Sequence, residues 1–398
     1  MAPLVRPAGP DDLETICSIV AERGDPSDGI DLRLIAEDVG YDGIAVAEVD
    51  GTVAATATLL DEELVVGALG SVRLPAGQVE LVAADRRFEH RGLVRALMEW
   101  CHERSSARGH LVQVMIGIPN FYRQFGYSYG VPMHAWAEVA TLPDPVPDVQ
   151  VRRAELDDID AMARLQEATQ SAFGVRMPHQ PSCWRALVRR DASTQWLAQR
   201  HGEAVGVARS VDDDGTVWIG EIASSDADAT AALVRTAARA ASDTPDGGPR
   251  GVRASDRAHV PGLSALLGVR ERPDWFYVRI PDPVALMEDL RPVLSERLRL
   301  ALPGAEGDAL VSLWRSHLRF AYGPEGVGPM RAGGPFQSPV SAGGSGLPGD
   351  ALPALLFGCG AEGLEQRYAD AHLGRQADLM TALFPPQEAD LLTFYLPC

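Results

Sequence analysis

Apolar and polar positions along this chain recur with two periods, and the switches between them predict its elements. Val5 to Ala8 reads as a short strand, and Gly9-Pro10-Asp11-Asp12 as a helix start with acids at the positive end of the dipole. Leu13, Ile16, Cys17 and Val20 then fall at helical spacing. A polar loop from Arg23 to Asp28 leads to a second short helix around Leu32, Leu34 and Ile35. Gly43 to Glu48 and Thr52 to Leu59 read as strands joined at Val49-Asp50-Gly51, where Asp-Gly signals a hairpin. Leu64 to Val72 continues the meander towards Val79 to Ala84, a short bounded apolar run typical of a buried strand. Leu93, Ala96, Leu97, Trp100 and Cys101 form a helical stripe, and Leu111, Val112, Val114, Met115 and Ile116 a further strand. Met133 to Val139 is expected to close the sheet, and Leu142-Pro143-Asp144-Pro145-Val146-Pro147 is a stiff linker.

An internal echo follows the linker. Val5-Arg6-Pro7-Ala8-Gly9-Pro10-Asp11-Asp12 recurs as Val151-Arg152-Arg153-Ala154-Glu155-Leu156-Asp157-Asp158, and the hairpin at Asp50-Gly51 as His201-Gly202. The spacing predicts a duplicated domain. Trp275 to Ile280 reads as a strand and Asp282 to Leu298 as one helix carrying Leu286, Leu290, Val293 and Leu294. Gly323 to Gly349 is rich in Gly and Pro and predicts loops or short strands.

The chemistry concentrates between Val79 and Tyr127. Asp85 to Gly92 places a Gly amid Arg86, Arg87, Arg91 and His90, between a strand and a helix. Backbone N–H groups at a helix N-terminus lack internal partners and attract phosphate. The loop lacks the Gly-Lys-Ser/Thr of a Walker site and the Gly spacing of a dinucleotide fingerprint. The run Val82 to Leu93 instead resembles the acetyl-CoA pyrophosphate loop of the GNAT superfamily of N-acetyltransferases. Phe121-Tyr122-Arg123-Gln124-Phe125-Gly126-Tyr127, after the next strand, resembles that family's thioester-flanking segment. The resemblance implies main-chain and side-chain contacts to acetyl-CoA from Val82, Ala83, Ala84, Arg87, His90, Arg91, Gly92, Leu93, Val94 and Asn120, with Tyr122 as general acid. A phenol with pKa around 10 stays protonated at neutral pH and can protonate a thiolate whose pKa is about 8.5. Glu80, on the strand, is a candidate base for the amine, or an ion-paired strand carboxylate. Glu89 and Val94 depart from the family pattern. A carboxylate about 6 Å from a pyrophosphate costs roughly 2–3 kcal/mol at an effective dielectric near 20, which the three arginines can offset. Glu89 also favours a second reading, a catalytically silent acyl-CoA or small-ligand binding protein.

The whole layout resembles the enhanced-intracellular-survival (Eis) family. The resemblance implies an α+β chain with an active GNAT domain in residues 1–142, a degenerate one in 148–280 and a sterol-carrier-like domain in 281–398. In the copy, Trp218 to Asp228 has neither Gly nor Arg at the turn and places acids where phosphates would go, so it is expected to keep the fold without the cofactor. The family implies acetyl transfer to amines of aminoglycosides, other polycations or lysines, a hexamer, and a terminal carboxylate, here Cys398, reaching the active site.

Composition narrows this picture. A length of 398 residues suggests two or three domains, and 46% hydrophobic with 23% charged residues is globular. The net charge of −19 argues against non-specific nucleic-acid or anionic-membrane binding and favours a cationic acceptor. Acids at Asp25, Asp28, Glu37 and Asp38 border the segment that lines the acceptor pocket in the resemblance. The five cysteines have no CxxC spacing, so neither a metal site nor a disulfide framework is expected. No apolar run is long enough to span a bilayer and no signal sequence is evident, so a cytoplasmic protein is expected.

Overall fold

The computed structural model describes residues 3–67, 71–240 and 251–394. The architecture is mixed α/β, with sheets flanked by helices, consistent with the α+β expectation. The chain opens with β1 (Leu4–Pro7), α1 (Leu13–Arg23) and α2 (Pro26–Asp38), then the meander β2 (Ile44–Val49), β3 (Thr52–Val66) and β4 (Val72–Ala84). Helix α3 (Leu93–Ala107) crosses over to β5 (Val112–Met115), which β6 (Ser128–Pro132) and β7 (Trp136–Val139) follow. The second half repeats the order: β8 (Gln150–Arg153), α4 (Ile159–Gln170), β9 (Val175–Met177), α5 (Pro181–Arg189), β10 (Thr194–Arg200), β11 (Glu203–Asp213) and β12 (Thr216–Ser224). Helix α6 (Ala227–Ala240), β13 (Gly251–Ser255), α7 (Leu263–Leu266), β14 (Leu267–Arg270) and β15 (Trp275–Arg279) complete it.

The two large sheets exchange strands. The first runs β1-β2-β3-β4-β5-β15-β6, and the second β14-β7-β13-β12-β11-β10-β8. The stretch expected to close the first sheet therefore does otherwise: Trp136–Val139 pairs with β13 and β14 of the second. In return, β15 inserts between β5 and β6. A short apolar run reports burial between two neighbours but does not say whose neighbours they are.

Each half carries the same irregularity. From Thr56 to Thr58, β3 advances two residues while β4 goes from Ala83 to Glu80, so β4 holds a bulge at Leu81, whose φ is 50°. From Val207 to Arg209, β11 likewise faces Ala223 to Gly220, with Glu221 at φ 54°. A non-glycine residue in this region carries strain, and its recurrence at matching positions agrees with duplication.

The last part begins with two helices, α8 (Pro283–Asp289) and α9 (Arg291–Ala301), where the sequence predicts one. Asp282 caps α8 by accepting from the Val284 and Ala285 amides, and Pro292 at the head of α9 removes the donor that would continue it. A five-stranded sheet follows: β16 (Gly307–Ser312), β17 (His317–Gly323), β18 (Gly326–Val327), β19 (Arg331–Gly333) and β20 (Ser345–Gly346). Helices α10 (Leu352–Phe357), α11 (Gly360–Arg367) and α12 (Ala377–Leu383) lead to β21 (Ala389–Leu391), which pairs in parallel with β9. One core joins this part to the first sheet, with Leu74, Val112, Val131 and Phe276 packed among Leu286, Leu294, Leu355 and Phe357. Among the described residues no helix is long and apolar enough to cross a membrane.

Candidate active site

Strands β4 and β5 pair in parallel only from Ala76 to Gln78 against Val112 to Val114. Beyond that β4 runs on to Ala84 with its β5-facing edge unpaired, and the sheet opens. Ligands in parallel sheets bind outside the carboxyl ends of the strands, and this opening is at such an end. A groove of about 500 Å³ occupies it. One wall is Val82, Ala83 and Ala84, the floor is the start of α3, and the other wall is Ile118 with the short turn Phe121–Phe125.

The start of α3 is built to leave its amides free. His90 at φ 64° and Gly92 at φ 78° turn the chain sharply, and Gly92 caps the helix with no side chain. The amides of the first turn have no intrahelical acceptor, and they face the groove lined by Gly92, Leu93 and Val94. In the second half the corresponding helix start is filled from within. Asp226 accepts from the Ala229 amide at 2.9 Å and pairs with Arg200 at 2.7 Å. The first half offers amides to an anion where the second supplies its own.

Of the residues expected to hold a cofactor, Val82, Ala83, Ala84, His90, Gly92, Leu93 and Val94 line the groove, and Arg87, Arg91 and Asn120 are not on its lining. The Arg87 guanidinium is held by Asp85, 2.6 Å away. Arg91 lies over the Phe88 ring at 5.5 Å and borders a neighbouring depression with Leu4 and Asp50. Asn120 begins the turn carrying Tyr122, at φ 63°. Cys398 lies outside the described residues. Glu89 lines the groove but pairs with Arg23 of α1, 2.9 Å away, a partner that no local pattern announces. Phe125, of the segment that resembles the thioester-flanking motif, also lines it, and Arg23, Phe88 and Arg95 are lining residues not singled out from the sequence.

Tyr122 lines the groove with its ring packed edge-on against Phe121 and Tyr127. Burial, with the Glu80 charge adding to it, pushes the phenol above its ordinary value, so it is a proton donor throughout the physiological range. Gly117 makes room for the ring, since a Cβ there would overlap it. Gly117→Ala is expected to cost about 1–3 kcal/mol of stability and to lower turnover with it, measured by denaturant unfolding and initial rates.

Glu80 sits behind the groove, buried, accepting from Gln78 Nε2 at 2.7 Å. Burial raises its carboxyl to about 8 despite the Gln78 bond and the Leu81 amide, with Asp28 and Asp31 pushing the same way. Gln78 in turn accepts from the Phe394 amide at 3.1 Å, so the last described residues run beside this carboxylate. The acids near α2 are engaged within the chain. Asp25 and Asp28 form the capping box of α2, Arg189 pairs with Glu37 and Asp38, and Arg190 pairs with Asp31.

Residues 21–130 match the family model for the acetyltransferase (GNAT) domain. No curated protein matches the chain. Solved structures share its fold over nearly the whole length. A GCN5-related N-acetyltransferase from Anabaena variabilis is 13% identical with a TM-score of 0.69, over 98% of this chain and 99% of that one. One from Kribbella flavida is 18% identical with a TM-score of 0.67, over 99% and 100%. Eis1 from Mycobacterium abscessus is 16% identical with a TM-score of 0.65, over 97% and 98%. At these identities the solved structures speak for the fold alone, and the family match speaks for one region: residues 21–130 carry an acetyltransferase (GNAT) domain.

Proposed function

We propose that this chain transfers an acetyl group from acetyl-CoA to a primary amine of a cationic small molecule or a lysine, by direct attack of the amine on the thioester. The observation that carries the reading is the single groove that brings free helix amides, an unpaired β4 edge and the Tyr122 phenol together. The amides at Gly92 to Val94 would hold the pyrophosphate, and the β4 edge near Val82 and Ala84 would direct a main-chain N–H at the thioester carbonyl. Acetyl-CoA supplies the activated acyl group and a sulfur leaving group. Tyr122 donates a proton to that sulfur, and Glu80 takes one from the amine, directly or through water. Holding amine and thioester in one groove converts an encounter into an intramolecular step, which can contribute several kcal/mol. The Glu89–Arg23 pair supports this reading over that of a silent binding protein, because the carboxylate meets the groove accompanied by a cation. We read residues 281–398 as a sterol-carrier-like unit that braces the first sheet, and the assembly as a homo-oligomer.

Thiol release from acetyl-CoA, screened across aminoglycosides, polyamines and lysine peptides, tests this reading. The sequence contains no lysine, so no side-chain amine of the enzyme competes with the acceptor. Release with at least one amine is expected; no release with any, together with no acetyl-CoA binding by calorimetry, sinks the proposal.

The Glu80 carboxyl, raised to about 8, sets a pH dependence. A base acts only when deprotonated, so kcat/KM for the amine should rise with pH and bend near 8. The amine's own ionisation adds a second rising slope, which Glu80→Gln leaves in place. The bend should vanish in that variant, and a bend that persists assigns it elsewhere.

A further inference from the structure

Tyr277 lies on β15, the strand that the later part of the chain inserts between β5 and β6, and it is fully buried there. In register it faces Met115 on one side and Tyr129 on the other. Its hydroxyl is 3.2 Å from the Ile118 carbonyl oxygen and 2.9 Å from the Tyr129 hydroxyl. A hydroxyl has one proton to donate, so the contacts close with Tyr277 donating to Ile118 and Tyr129 donating to Tyr277.

Ile118 and Asn120 are where the chain leaves β5 and turns into the segment bearing Tyr122. Asn120 turns the chain there through the left-handed region, which asparagine adopts more readily than other non-glycine residues. The Tyr277 ring stacks on Tyr129 at 4.3 Å and meets the Tyr122 ring edge-on at 5.9 Å. A phenylalanine would fill the same space, so packing alone does not account for a buried hydroxyl that meets both the Ile118 carbonyl and Tyr129.

We infer that Tyr277 is a positioning residue for the first domain's reaction: by holding the Ile118 carbonyl, where the chain enters the turn that carries Tyr122, it fixes the Tyr122 phenol against the groove. The acetyltransferase site is thus completed by a strand from about 150 residues beyond the matched domain. This rests on Tyr122 serving as the acid.

Kinetics of Tyr277→Phe in the full chain test it. We expect kcat to fall about tenfold, KM for acetyl-CoA to stay within about twofold, and no further loss when the change is made in a Tyr122→Phe background. The last point separates positioning from general damage, since a merely structural defect lowers both backgrounds alike. Unchanged kcat, or equal losses in the two backgrounds, overturns the inference. Tyr129→Phe is the second variant, removing one of the two contacts; a loss of about threefold is expected, again absent in the Tyr122→Phe background, and it decides the matter should Tyr277→Phe not be soluble. If Tyr122→Phe itself retains full turnover, the acid assignment fails; if only Tyr277→Phe and Tyr129→Phe are silent, the positioning role alone fails.

Discussion

Tyr122→Phe is expected to lower acetyl transfer by about 10²-fold or more while leaving acetyl-CoA affinity nearly unchanged. The size follows from what the phenol does. Without a donor, the sulfur must leave as a free thiolate, and general-acid assistance is typically worth 10²- to 10⁴-fold. The selectivity follows from what the ring does. Phenylalanine keeps the edge-on contacts to Phe121, Tyr127 and Tyr277, so the groove wall and the room beside Gly117 are unchanged. The α3 amides and the β4 edge, proposed to hold most of the cofactor, are untouched. Initial rates with a saturating amine and calorimetric titration with acetyl-CoA measure the two quantities separately. A parallel fall in affinity would mean that the hydroxyl binds rather than donates, and undiminished turnover would remove Tyr122 from the mechanism. Because burial lifts this phenol above its ordinary value, no falling limb from Tyr122 should cut into the alkaline side of the wild-type pH profile.

The parts of this site that sequence reading reached are those encoded by contiguous residues. Strand, turn and helix from Val79 to Cys101 follow from local periodicity and one glycine, and Tyr122 from its place just after the next strand. The parts it missed depend on residues far away. Glu89 alone reads as repulsive to a diphosphate, and only the fold brings Arg23, from another helix, against it. Glu37 and Asp38 read as free acids until α5 lays Arg189 across them, some 150 residues later. The bulge at Leu81 leaves no mark in the sequence, since nothing about a leucine announces a positive φ. The exchange of β7 and β15 is illegible for a related reason: Trp136–Val139 and Trp275–Arg279 are both short apolar runs that suit either sheet. Local chemistry is thus readable where the backbone itself supplies the function, and hidden where a distant side chain completes it.

Asp390→Ala should be the most destabilising of the single changes considered, by about 3–5 kcal/mol, because it leaves a buried guanidinium without its counter-charge. Asp390 precedes the end of β21 and is 1% exposed, as is the Arg257 side chain, which meets it in two bonds of 2.6 and 3.1 Å. His134, between β6 and β7, lies 2.7 Å from the same carboxylate. Burial by itself would raise the Asp390 carboxyl, but the Arg257 charge and the His134 bond outweigh it and hold it well below the usual range. Three stretches distant in sequence therefore meet at one ion: the β6–β7 crossover, the second half just after β13, and the final strand. A carboxyl with a depressed folded pKa contributes stability above its unfolded pKa of about 3.9, and that contribution is lost as the pH falls from there through the folded value. In wild type this linkage should appear only on strong acidification. In Asp390→Ala it should be absent, so that the two proteins differ most near neutrality and converge in acid. Denaturant midpoints measured from pH 7 downward test both statements. The double change Arg257→Met with Asp390→Ala should recover much of the loss, since it removes the stranded charge along with its partner. A single variant that unfolds at the wild-type midpoint would show that Gln166 and the Ile222 carbonyl, which also hold Arg257, satisfy the guanidinium by themselves.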